Sequence, residues 1–400
     1  MGRVVFVNAT VFDGADVLTG KSTVVVEGER IGEVTGGHVA ARPGDQVFDL
    51  QGRTLMPGMI ECHFHPDYRG FNINGAPMYI ETRPGVLMAT TVASGHALLA
   101  TGFTGYVGAG CANGDDQSLK AAVESGIVMG PRVRCSSGHF ELGKSVESSV
   151  AAVNEQIDAG AEIIKIFTTG GHGTPAFLNQ DIHIDPAEIA AVCQAARARG
   201  AAVRAHCVYR DPIIEAIESG ITLIDHGDEA DETCLRLMAQ RGVFWVPSAM
   251  ENKVMTVGGP DVVEPVLKIE AVDHLARIAK NLPIAIDLGV KILLGDDFGI
   301  ELMPHEPGSY GRELTLYANE LGCGARNVLT WATRNGAELL GLPGEAGTIA
   351  QGAFADIVVT NTDPLRDITI FETPQTGLAA VMKGGEFFRH PDRELALTAA

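Results

Sequence analysis

Residues 56–66 read M-P-G-M-I-E-C-H-F-H-P, an apolar run that ends in two histidines one residue apart. Side chains two apart on a strand share a face, so His63 and His65 can grip one ion together while Phe64 points away. The run Met56–Ile60 has the character of a buried strand, and Pro66 closes a polar loop after it, which puts the pair at the strand's C-terminal end. Barrels of alternating strands and helices carry their chemistry at that end. By itself, this spacing also suits ordinary pocket or surface histidines. The rest of the chain has to decide.

Outward from this stretch, strand and helix signals alternate. After Met56–His63 come Gly102–Val107, Pro131–Ser137, Glu162–Phe167, Ala201–Cys207, Ile221–Gly227, Val243–Ser248 and Lys291–Asp297, eight segments in all. Helical periodicity fills the gaps, most clearly in Pro186–Arg199, with Asp185 as N-cap, Pro186 in the first turn and Gly200 as C-cap. Eight such repeats over about 290 residues predict an α/β fold of the (β/α)8 TIM-barrel type. A doubly wound open sheet competes, but its G-x-G-x-x-G turn after the first strand is missing. At the chain ends, residues 4–8, 23–27, 46–50, 354–360 and 378–388 are short β-branched runs, with Gly384-Gly385 suited to a hairpin turn. A sheet this small needs a partner layer, so both ends are expected to form one composite β-sandwich. Two independent hairpins packed on the main body are the other reading. The expected division is 1–55 and 347–400 for the sandwich and 56–346 for the barrel.

Composition narrows the function. The chain has 400 residues, 46% of them hydrophobic, and a formal net charge of −20. That charge disfavours nucleic acid and anionic membrane surfaces as partners, but not metal cations or neutral and cationic small molecules. Seven cysteines without a C-x-x-C pair suggest a reducing compartment. With no signal-peptide pattern and no apolar stretch of membrane-spanning length, a soluble cytoplasmic protein is expected. A small-molecule substrate and a homo-oligomeric state complete these expectations.

On the barrel reading, His63 and His65 end strand one, Lys165 lies in strand four, His206 ends strand five, His226 strand six and Asp297 strand eight. Four imidazoles and a carboxylate at one mouth suit Zn²⁺, and also Mn²⁺, Fe²⁺ or Ni²⁺, with a position left for water. Lys165 interrupts the apolar run I-I-K-I-F and must be paired, neutral or modified. It either forms a salt bridge to Asp297 beside a single metal or, as a neutral amine, takes up CO₂ to give a carbamate that bridges two ions.

The motifs H-F-H after P-G-M-I-E-C, K-I-F-T-T-G-G, R-A-H-C, I-D-H-G, G-D-D, P-H-E before R-E-L, and A-T-R-N-G-A-E-L-L-G-L together resemble the amidohydrolase superfamily. Within it the chain is similar to the two-metal, carboxylated-lysine branch that includes imidazolonepropionase-like and Xaa-Pro-dipeptidase-like enzymes. The resemblance implies that His63, His65 and Asp297 hold the more buried of two divalent ions, with Zn most expected and Mn, Fe, Ni or Co as alternatives. His206 and His226 would hold the other, and N6-carboxylated Lys165 would bridge them. It further implies a hydroxide between the ions as nucleophile, Asp297 as proton acceptor and donor, and His139 as a second group polarising the substrate carbonyl. His139 could equally cap a backbone in its glycine-containing loop.

The chain also departs from that pattern. It has Asp296 where a hydroxyl residue is common, Glu61 where aspartate is usual, and Tyr209 near, but not at, the carboxylate-binding tyrosine of dipeptidase relatives. Strand alternation turns Asp296 away from Asp297 and toward the neighbouring shell.

Loop residues Tyr68, Phe71, Met78, Tyr79, His172, Phe177, Met303, His305 and Tyr310 suggest an apolar pocket for an aryl or cyclic group, or else they pack the loops down. The leading expectation is hydrolysis of a C–N bond in an amide, cyclic amide, urea-like group, N-acyl amino acid or dipeptide. A heteroaromatic deaminase, dechlorinase or lactonase is the second, and a non-catalytic metal-binding scaffold the third.

Overall fold

The computed structural model describes residues 2–68, 83–111, 114–136, 138, 142–143, 145–170, 184–259, 263, 265–300, 302–392 and 395–397. The apolar run around Met56 is two strands rather than one. Thr54–Pro57 pairs antiparallel with Ile357–Thr360 and parallel with the N-terminal strand Val4–Val11, so it belongs to the sheet made by the chain ends. At Gly58 the backbone passes so close to Thr104 that a Cβ would lie 2.0 Å from its hydroxyl oxygen. Met59–Phe64 then pairs in parallel with Phe103–Gly108 as the first barrel strand.

Among the described residues the barrel has eight strands, of which the remaining six are Arg132–Arg134, Ile163–Phe167, Ala202–Cys207, Leu223–His226, Phe244–Val246 and Lys291–Ile292. Strands one to three and four to eight form two parallel ladders. Ile163 N donating to Cys135 O at 3.1 Å joins them, and Cys62 N donating to Leu294 O at 2.9 Å closes the ring. The TIM-barrel expectation is met, with strands three, six, seven and eight shorter than expected. Strand eight stops early because Gly295 is pressed against strand one: a Cβ there would sit 2.3 Å from His63 N. This close approach, open only to glycine, sets Asp297 beside the two histidines.

The helix Pro186–Ala198 starts as expected, with the Asp185 side chain accepting from Ala187 N at 2.9 Å. The two chain ends form one nine-stranded sheet with its own apolar core around Phe6, Phe48 and Phe387. Gly384 and Gly385, both at positive φ (59° and 78°), make the tight hairpin turn between Leu378–Lys383 and Glu386–Arg389. Arg132 of strand three makes two bonds to Asp356, at 2.6 and 3.1 Å, tying barrel to sheet. All seven cysteines are free and buried. Among the described residues no helix is long and apolar enough to cross a membrane.

Candidate metal centre

Asp297 is the hub of the barrel mouth. His63 Nε2 and His65 Nε2 both meet its Oδ1, at 2.8 and 3.0 Å, and His226 Nε2 lies 3.7 Å from its Oδ2. Two groups of ligand-type atoms, each lying within 4.8 Å of one another, share it: His63, His65 and Asp297, and His226, Glu251 and Asp297. The His206 ring sits 4.3 Å from that of His226, centroid to centroid, with its Nε2 3.2 Å from Gly170 O. His139 lies outside the described residues, as do Phe71, Met78, Tyr79, His172 and Phe177.

How His226 reaches this mouth follows from register. His206 pairs with Asp225, and Arg204 with Lys165, so these four share one face and strand alternation sends His226 to the other. His226 ends its strand in a left-handed turn, at φ 67°, followed by Gly227 at φ 66°. That turn re-aims the imidazole toward Asp297. Trp245 Nε1 donates to His226 O at 2.7 Å and pins the turn.

Lys165 is paired, but with Asp225 rather than Asp297. Its Nζ lies 2.6 Å from Asp225 Oδ2, while Arg204 grips both oxygens of the same carboxylate, at 2.5 and 3.0 Å. Lys165 is 1% exposed and the other two 0%. Burial, and then the neighbouring Arg204, lower the Lys165 amine from its ordinary range against the pull of Asp225. Burial opposes ionisation of Asp225, but Arg204 and Lys165 outweigh it and hold the carboxyl well below its usual value. Periodicity alone singled out Lys165 but not its partners, since neither partner interrupts an apolar run as sharply.

The imidazoles are tuned in the same way. Burial pushes His63 down to about 3 and His226 to about 4, against the pull of Asp297 on each, so both are neutral and able to offer a lone pair at pH 7. Burial acts to raise Asp297, yet His63 and His65 hold it well below the ordinary carboxylate range. Outer contacts fix the rings. His65 Nδ1 donates to Gly110 O at 2.7 Å, its ring stacks on Tyr68 at 4.2 Å, and His226 Nδ1 lies 3.5 Å from Glu251 Oε2.

Asp296 turns away from Asp297, as alternation predicts. Its carboxylate accepts the backbone N–H groups of Met250 and Glu251 at 3.1 and 3.2 Å, which positions Glu251 beside His226. Glu251 was missed in the sequence; the acid in S-A-M-E, directly after strand seven, was the available signal. Of the two readings given for Met303 and Tyr310, their burial at 2% and 0% exposure fits the one in which they pack the loop down. Tyr310 packs against Phe298 at 4.5 Å, and its hydroxyl meets His305, which in turn reaches His65 O at 3.0 Å.

A profile described as the amidohydrolase family matches residues 54–387. The chain belongs to that family. This amidohydrolase is 26% identical over 385 residues to the ochratoxinase of Aspergillus niger, covering 84% of this chain and 76% of the relative. It is 25% identical over 415 residues to an imidazolonepropionase of Rubrobacter xylanophilus, covering 91% and 90%. The crystal structure of a prolidase complexed with N-methylphosphonate-L-proline superposes with a TM-score of 0.83 at 29% identity, over 97% of this chain and 100% of that one. The amidohydrolase is thus an enzyme acting on carbon–nitrogen bonds, and its His and Asp groups could bind metal.

Proposed function

We propose that this amidohydrolase is a metal-dependent hydrolase that cleaves an amide bond in a small, partly apolar N-acyl amino acid or dipeptide. The observation that carries the proposal is the pair of ligand groups sharing Asp297. Neutral imidazoles aimed at an ionised carboxylate are a donor set suited to divalent cations. His63, His65 and Asp297 would hold one ion; His226 of the second group would hold the other, together with His206, which the resemblance supplies and whose ring lies 4.3 Å from that of His226. Divalent ions bound there supply an acidified water and a Lewis acid for the substrate carbonyl.

The protein's own groups have separate tasks. Asp297, kept ionised, accepts a proton on a carboxylate oxygen and returns it to the leaving nitrogen. Glu251 steadies His226 from the far side of its ring, and Gly110 O does the same for His65. Lys165 is assigned as a carboxylated bridge: burial lowers its amine from the ordinary range, and once the ammonium has given up its proton the neutral amine adds CO₂ and releases a second proton. Asp225 would lose one partner in this step but keep both bonds from Arg204. His139 is assigned to the substrate carbonyl. The substrate class is taken from relatives named ochratoxinase and prolidase.

The test starts with protein stripped by chelator. It should lose turnover of N-acyl amino acids and dipeptides, recover it with Zn²⁺ or Mn²⁺, and hold near two manganese ions per chain at full activity in Mn²⁺, which suits oxygen and nitrogen donors rather than thiolate. Full turnover by the stripped enzyme would refute the proposal. One ion per chain together with turnover of amino-substituted heteroaromatic rings would move the assignment to deamination.

A further inference from the structure

A second cluster of ligand-type side chains lies beside the barrel mouth and has no part in the proposed reaction. Asp67 follows the first barrel strand, Cys111 follows the second, and Asp115 opens the helix Asp115–Glu124. One donor atom from each lies within 4.8 Å of the other two. Cys111 is 2% exposed and Asp115 6%. The Oδ2 of Asp115 is buried with no hydrogen-bond partner among the described residues. The next residue, Asp116, is spent elsewhere, accepting from Tyr106 OH at 2.7 Å and Ser136 N at 3.1 Å.

We propose that Asp67, Cys111 and Asp115 form a third cation site, separate from the Asp297 centre, that takes a borderline divalent ion such as Zn²⁺, Co²⁺ or Cd²⁺. A thiolate and two carboxylates are a set such ions accept, with metal–sulfur and metal–oxygen bonds of about 2.3 and 2.1 Å and water as a fourth ligand. On binding, the Cys111 thiol gives its proton to solvent as the sulfur–metal bond forms. Burial, and then Asp116 and Asp67, raise the Cys111 thiol well above its ordinary range, so the ion has to displace that proton. Burial and then Asp67 raise the Asp115 carboxyl to about 6, and burial raises Asp116 to about 7 against its two hydrogen bonds. A dication relieves that crowding of acids.

The site has a structural consequence for the reaction centre. Tyr68, next to Asp67, stacks on His65, and Gly110, next to Cys111, accepts from His65 Nδ1. An ion tying Asp67 to Cys111 would therefore clamp the two backbone segments that hold His65 in place.

Cobalt substitution tests this without relying on turnover. All ligands assigned to the Asp297 centre are nitrogen and oxygen donors, so a sulfur-to-cobalt charge-transfer band reports the Cys111 site alone. Stripped protein titrated with Co²⁺ should develop that band. The Cys111→Ser variant should lose it and bind one cobalt fewer per chain by elemental analysis, while keeping the ligand-field absorption of the Asp297 centre. Asp115→Asn, which retains the thiol, should need at least tenfold more cobalt to develop the band, and it decides the matter if Cys111→Ser does not fold. Absence of the band at saturating cobalt, its survival in Cys111→Ser, or an unchanged titration of Asp115→Asn would overturn the site. Failure of the Asp297 centre alone would leave the sulfur band, lost in Cys111→Ser, at one cobalt per chain.

Discussion

Replacing Asp225 with Asn keeps the shape of a buried side chain and removes its charge. The carboxylate lies 2.6 Å from Lys165 Nζ and accepts two bonds from Arg204, and all three residues are at most 1% exposed. Arg204 remains cationic after the change, beside a buried amine that has lost its counter-charge. Stripping one partner from a buried ion pair costs about 3–5 kcal/mol, because the stranded charge cannot regain water. With an unfolding entropy of about 2.1 cal/mol/K per residue, the 400-residue chain loses about 0.8 kcal/mol per degree near its midpoint. The expected drop in Tm is therefore roughly 4–6 °C. Scanning calorimetry of metal-stripped protein at pH 7 measures it directly. Adding Arg204→Met should recover part of the loss, since one stranded cation goes with it. A Tm within about 1 °C of the parent, or a deeper loss in the double variant, would refute the claim that Asp225 balances both cations.

Three further outcomes follow from the same geometry. The depressed His63 and His226 leave the unfolded chain binding more protons below pH 6.5, so stripped protein should lose stability as pH falls toward their values of about 3 and about 4. The slope should approach about 1.4 kcal/mol per pH unit for each histidine, and His63→Gln should flatten the curve of denaturation midpoint against pH. Gly295→Ala would place a methyl group 2.3 Å from His63 N; about 3 kcal/mol of stability should be lost in urea unfolding, along with metal content by elemental analysis. Glu251→Gln, which weakens the support behind His226, should lower metal affinity about 10–100-fold in a competitive chelator titration while leaving Tm of the stripped protein within about 2 °C.

Much of the mouth was legible because strand alternation is a local rule. His63 and His65 sharing a side, and Asp296 opposed to Asp297, are what a repeat of two predicts, and the structure shows both outcomes although His65, Asp296 and Asp297 lie just past the ends of their strands. The same rule misleads at His226, where register sends the side chain away and a left-handed residue brings it back. The break at Gly58 was equally hidden. Strands buried on both faces look alike in the end sheet and in the barrel, so Thr54–Pro57 and Met59–Phe64 read as one apolar run.

Sequence alone determined the alternating strand–helix order and the kinds of donor available, because backbone periodicity and side-chain chemistry belong to each residue and its near neighbours. Only the tertiary structure decided that Lys165 pairs with Asp225, that Glu251 backs His226, and that Gly295 lets Asp297 reach the histidines of strand one. Those contacts join residues tens to hundreds of positions apart, and closure of the ring of strands is what brings them within reach.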